Sequence, residues 1–262
     1  MPCAHRPDGA RVGDNGGVDV YADLAAEEEQ LAALLDALPP EDWRAPSRCA
    51  GWTVTDVVLH LAQCEEAVVG AVTGGTAYAP VDWTRLGNTV ETAMDAYVET
   101  ERADAQSVRR RWESARVAAL GALRAADPKR KVQWVTNLLR PTTLATTRLA
   151  EHWAHALDIA EPLGRDHPDT ARLRHILWLA HATLPYACAV DGRAAPVVRI
   201  EATGPVGEHW AISPEDADVV LSGGAGELCR IGARRLDPAA SSVTASGPGG
   251  AEVLSLLRTF AV

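Results

Sequence analysis

The chain has a single phenylalanine and no CxxC pair among its five cysteines. It also has no basic run of the kind that grips phosphates, and its formal net charge is -10 over 262 residues. Each absence removes a class of function. Without such a run, and with a net negative charge, the chain is poorly suited to neutralise a phosphate backbone, so nucleic acid is not an expected partner. No apolar stretch reaches the roughly 18 to 20 residues needed to span a bilayer. Cys3, Cys49, Cys64, Cys188 and Cys229 are scattered and odd in number. That pattern fits reduced thiols in a cytoplasm better than a disulfide framework. Residues 1–17 lack the apolar core of a signal peptide and read as a disordered lead-in. No G-x-S-x-G and no convincing Ser/His/Asp set is visible, which argues against a serine hydrolase. Hydrophobic residues make up 47%, the composition of an ordinary globular protein with a real core.

What is present is helical periodicity. Apolar residues recur at helical spacing from residue 18 to about 37, ending before Pro39-Pro40. Thr53 is an expected N-cap, with Asp56 three residues on as an acidic capping-box partner, for a helix through His60 that Gly74 and Gly75 punctuate. One long polar helix is expected from about Asn88 to Ala126, closed by Asp127-Pro128. Another is expected from Thr142 to Leu163, stopped by Gly164. Four helices with short connections predict an antiparallel bundle over 18–165. After residue 165 the pattern changes. A helical stretch at 170–185 precedes the strand-like segments PVVRIEAT, EHWAISP and ADVVLSG. A helix near 224–235, the strand-like SSVTASG and a final helix over 249–260 follow. The fold class expected is α+β, with a smaller mixed C-terminal module over 166–262 packed on the bundle.

Histidines and carboxylates in the bundle helices point to chemistry. Glu151 and His155 are four apart, so on a helix they lie one turn apart on one face. With His60 they make a two-His, one-carboxylate set that leaves coordination positions open, as catalytic rather than structural metal sites do. Spacing alone does not choose the set. Positions 151 and 155 differ by about 40° around a helix and 152 and 155 by about 60°, so His152 competes with Glu151. Cys64, four after His60, is a further soft ligand. As plain sequence, His60 reads more readily as a hydrogen-bonded core histidine than as a ligand, and Glu151/His155 reads equally as an exposed surface pair.

GWTVTDVVLHLA (51–62) and RLAEHWAHALDIAEPLG (148–164) together resemble the mycothiol-dependent maleylpyruvate isomerase family of the DinB-like metalloenzyme superfamily. The narrower likeness is to an actinobacterial metal-binding subgroup. It extends from about residue 20 to the end, through HILWLAHATLPYACAVDG, PEDADVVLSG and VTASGPGG. The resemblance implies a DinB-like four-helix bundle holding a divalent metal, usually zinc, through His60, Glu151 and His155. It makes His152 a pocket residue, Asp158 an acidic residue beside the ligand histidine, and Arg234 a substrate-anchoring arginine of the C-terminal module. It further implies mycothiol as a cosubstrate, whose thiolate adds to a small electrophile in isomerisation or thiol transfer. The same ligand set suits non-haem iron(II).

The stretch Trp134 to Arg140 departs from the subgroup's Gly-Pro-rich segment. It makes Trp134 a candidate apolar wall and Arg140 a candidate carboxylate clamp. That departure keeps two other readings open. One is a thiol-independent metalloenzyme of a biosynthetic pathway; the other is a non-catalytic metal-binding or regulatory protein. For the enzyme the expected partner is a small-molecule substrate, bound by a monomer or homodimer.

Overall fold

The computed structural model describes residues 19–74, 89–135, 137–213 and 215–260. The lead-in at 1–17, Gly75 and Asn88 lie outside the described residues. Helix α1 (Val20–Asp36) starts at Asp19, whose carboxylate accepts the Tyr21 N–H. A 3-10 turn (Asp42–Arg44) leads to α2 (Val54–Thr73). Thr53 and Asp56 form the expected capping box. Gly74 closes the helix in the left-handed region at φ 71°, where a side chain would be strained.

The long helix expected from Asn88 to Ala126 is two helices, α3 (Val90–Thr100) and α4 (Ala105–Ala125). The break has local causes that composition hides. Asp104 turns its carboxylate onto the Ser107 N–H and starts a new helix there. Just before it, Arg102 reaches away to Asp56, and Glu101 takes Arg111 and Gln63. A short antiparallel hairpin, β1 (Val132–Trp134) and β2 (Asn137–Leu139), follows in the connection, to which the sequence pattern assigned no strand. It delivers the chain to α5 (Pro141–Ala160), which begins with proline at its first position.

Helices α1, α2, α4 and α5 form the expected four-helix bundle, with α2 packed mainly on α4 and α1 on α5. Leu31, Val57, Leu61, Trp112 and Ile159 fill one of its cores. The C-terminal module comprises α6 (Leu173–Val190), β3 (Val198–Thr203), β4 (His209–Ile212), β5 (Val219–Gly224), α7 (Ala225–Gly232), β6 (Thr244–Ser246) and α8 (Gly250–Leu256). The sheet order is β4-β3-β5-β6, with β3 and β5 parallel and both edges antiparallel. Val198, Ile200 and Ala202 alternate inward on β3, as a half-buried strand requires.

One apolar core runs through both modules, from Leu24, Leu144 and Trp153 in the bundle to Ile176, Leu221 and Leu254 beyond it. That continuity explains how a small sheet is stable here: bundle helices complete its core. Among the described residues no helix is long and apolar enough to cross a membrane.

Candidate metal centre and its cavity

His60 projects from the middle of α2, and Glu151 and His155 project one turn apart from α5. The packing of the bundle brings them together. His155 Nε2 lies 3.4 Å from Glu151 Oε2, and one donor atom from each of the three residues lies within 4.8 Å of the others. The His60 and His155 rings meet edge-on with centroids 5.0 Å apart. Trp52, from the loop before α2, lies 5.1 Å from the His60 ring and limits its swing. Two ligands each about 2.1 Å from a tetrahedral zinc sit about 3.4 Å apart, so this donor set fits a divalent ion without rearrangement of the Glu151–His155 pair.

The electrostatics separate the two histidines. Burial pushes His60 down to about 3, helped by His155 beside it, so His60 is a neutral imidazole with a free lone pair. Burial also opposes charge on His155, but its hydrogen bonds to Asp158, Cys49 and Glu151 outweigh it and raise its pKa. Glu151 stays ionised: desolvation works against it, and His155 and Arg148 more than compensate.

A second layer of residues fixes His155. Asp158, one turn further along α5, accepts from His155 Nδ1 at 2.9 Å. Arg235, just beyond α7, grips the same carboxylate with two hydrogen bonds, Nε to Oδ1 at 3.0 Å and Nη2 to Oδ2. The Cys49 thiol also donates to Asp158, at 3.2 Å. An ionised carboxylate can only accept, so Nδ1 carries a proton; Nε2 faces Glu151 and His60, and the proton that the raised pKa favours there is the one a metal would replace.

The site opens into a cavity of about 700 Å³. His60, Glu151, Cys64 and Arg148 line one side, and Trp134, Leu139 and Trp178 are among the apolar walls. Cys64 lies 3.7 Å from His60 Nε2, and burial pushes its thiol up to about 11. It neighbours the histidine without joining the three-residue donor group. A second cavity of about 430 Å³ is lined by Cys49, Trp52, His155, Asp158, Arg48 and Arg235, among others. Arg234 touches both cavities. It adopts φ 62°, an uncommon left-handed conformation for a non-glycine residue, and donates to the Ser255 carbonyl at 2.9 Å.

Two expected pocket residues are elsewhere. His152 is fully buried, about 100° around α5 from Glu151 and facing the bundle core. Its Nε2 accepts from Trp112 Nε1 at 3.2 Å, and its Nδ1 donates to the Arg148 carbonyl at 2.9 Å. Both ring nitrogens are thus committed to the bundle core, and the helix turn that aims Glu151 at the cavity aims His152 away from it. Arg140 is exposed at the start of α5 and lines neither cavity, because the hairpin puts Trp134 and Leu139 in the wall and leaves Arg140 outside.

Three residues escaped sequence reading. Arg235 holds Asp158 from another module, Cys49 flanks His155 across more than a hundred residues, and Arg148 forms a buried ion pair with Glu65 at 2.7 Å. Only Arg148 carried a local signal, because it shares the Glu151 face of α5 at i−3.

The arrangement is thus a two-His, one-carboxylate donor set in a four-helix bundle, backed by a carboxylate on one histidine, a candidate metal centre. The mycothiol maleylpyruvate isomerase N-terminal domain matches residues 24–160, and the chain belongs to that family. Uncharacterized protein Rv0036c of Mycobacterium tuberculosis is 31% identical over 242 residues, covering 92% of this chain and 94% of its own length. Its counterpart in a second strain of that organism matches equally. Two crystal structures of the mycothiol-dependent maleylpyruvate isomerase, one of them a mutant, superpose with a TM-score of 0.60 at 17% identity. They cover 87% of this chain and 91% of theirs, a likeness that establishes the shared fold.

Proposed function

We propose that this chain is a divalent-metal-dependent enzyme, an isomerase or thiol transferase acting on a small electrophile with mycothiol as cosubstrate. His60, Glu151 and His155 are the proposed ligands and zinc the proposed metal. The observation that carries the reading is the convergence of these three donors within 4.8 Å of one another, His60 and Glu151 on the large cavity and His155 on the smaller one, with Asp158 accepting from His155 Nδ1. The thiol and the reaction type rest on membership of the family and on the activity named for the structural relative.

A divalent metal held there supplies Lewis-acid chemistry, lowering the pKa of a thiol and polarising a carbonyl. The chain's own residues do the rest. Asp158 and Arg235 hold the His155 ring in one orientation with the proton kept on Nδ1, so Nε2 is the nitrogen left to serve as a donor once its own proton is displaced. Glu151 contributes a negative charge, which reduces the net charge at the site. Trp134 and its neighbours exclude water from one side of the cavity. Arg234, reaching both cavities, is placed to contact substrate and cosubstrate together. We assign the enzyme to the cytoplasm as a monomer or homodimer. The free state of the described cysteines, Cys49, Cys64, Cys188 and Cys229, supports that compartment.

The test is saturable mycothiol binding by the zinc-loaded protein, measured calorimetrically beside His60→Ala. Binding lost in the variant supports the reading. Turnover of an electrophile with no thiol present would replace it with a thiol-independent metalloenzyme.

A further inference from the structure

Among the described residues, Arg148 is the one cation lining the large cavity that comes from the bundle interior. Its side chain is only 2% exposed, and Glu65 holds it from behind through Nε at 2.7 Å. Its Nη2 is buried and has no hydrogen-bond partner among the described residues. A buried N–H left unmet is costly and rare, and a guanidinium presents its donors as a planar fork suited to carboxylates. Glu65 takes one side of that fork, and the residue also lines the cavity, three positions before Glu151.

The rest of the wall has a different chemistry. Trp134, Leu139, Met94, Trp178 and Phe260 present apolar surface around the cavity. The Trp134 ring sits beside the arginine, with Arg148 Cζ 5.9 Å from its centroid. A cavity of about 700 Å³ with such walls falls within the range of pockets that enclose drug-sized, largely apolar ligands. A small, fully polar acid would leave most of this surface uncovered.

We propose that the large cavity binds a flat, largely apolar substrate bearing one carboxylate, the carboxylate on Arg148 Nη2 and the hydrocarbon body along the Trp134 wall. The inference rests on the reading of this cavity as the substrate side of the proposed enzyme. It adds a specificity-determining residue, Arg148, that stands apart from the metal donors.

Naphthoate, naphthamide and fumarate serve as probes, titrated calorimetrically into zinc-loaded and chelator-stripped protein. Naphthoate is expected to bind both forms, about tenfold tighter than naphthamide, the difference a charge-assisted hydrogen bond makes, and tighter than fumarate. Trp134→Ala weakens naphthoate and naphthamide alike. Arg148→Met combined with Glu65→Gln removes the buried pair together, so no lone charge is left inside, and abolishes the preference for naphthoate over naphthamide. The wild-type comparison stands even if that double variant does not fold. Equal binding of naphthoate and naphthamide overturns the proposal. So does naphthoate binding no tighter than fumarate, or naphthoate binding that vanishes with the metal. Zinc content, measured on the same samples, separates the two readings. A chain that takes up no zinc yet discriminates naphthoate refutes the metalloenzyme and leaves the carboxylate site.

Discussion

Asp158 accepts the Nδ1 proton of His155 at 2.9 Å while Arg235 holds the same carboxylate from a different module. The relationship sets which nitrogen of His155 faces the cavity. It also makes the C-terminal module part of the site, since without Arg235 the buried carboxylate would lose its paired cation.

Asp158→Asn is therefore expected to keep the fold and to weaken zinc binding by about 10- to 100-fold, the range found for carboxylates behind metal-binding histidines. Arg235→Gln acts in the same direction with a smaller effect. Competition with a chromophoric chelator measures both, and circular dichroism checks the fold. Unchanged affinity in Asp158→Asn would remove the tautomer argument.

Neighbours on α5 should separate cleanly. Glu151→Gln lowers metal uptake with little change in stability, because its side chain is about a third exposed at the cavity. His152→Ala does the reverse. It leaves the Trp112 indole N–H and a core gap unfilled and costs about 2 to 4 kcal/mol. Urea unfolding beside metal analysis distinguishes them, and a His152 variant of normal stability without metal would reverse their roles.

Acid should act on the capping box of α2. Burial pushes the Asp56 carboxyl up, but the Thr53 N–H and the Arg102 guanidinium outweigh it and hold the pKa below its ordinary value. A depressed carboxylate stabilises the fold fully above the unfolded pKa of about 4 and loses that contribution as pH falls through the folded value. Melting temperature should therefore fall with pH below about 4 more steeply in the wild type than in Asp56→Asn. Parallel slopes would contradict this.

What could be read from the sequence was what periodicity and local chemistry determine. The Thr53/Asp56 cap, the Gly74 stop and the Glu151/His155 face all depend on residues within one or two turns. The break at Asp104 was hidden because the helical composition continues through it, and a single side-chain cap outweighs that pattern. The β1–β2 hairpin was hidden because its strands are three residues long and carry little alternation. Spacing left His152 level with Glu151; the Trp112 indole, forty residues away, is what takes His152 into the core. Arg235 and Cys49 could not be found locally at all, because only the packing of loops and modules against α5 brings them to His155 and Asp158.

Metal content of the purified, zinc-reconstituted protein tests the central claim most directly. Elemental analysis of the wild type is expected to give about one zinc per chain, with uptake lost in His60→Ala and Glu151→Gln and kept in His152→Ala. Wild-type protein well below one equivalent, or full zinc retention in both His60→Ala and Glu151→Gln, would contradict it.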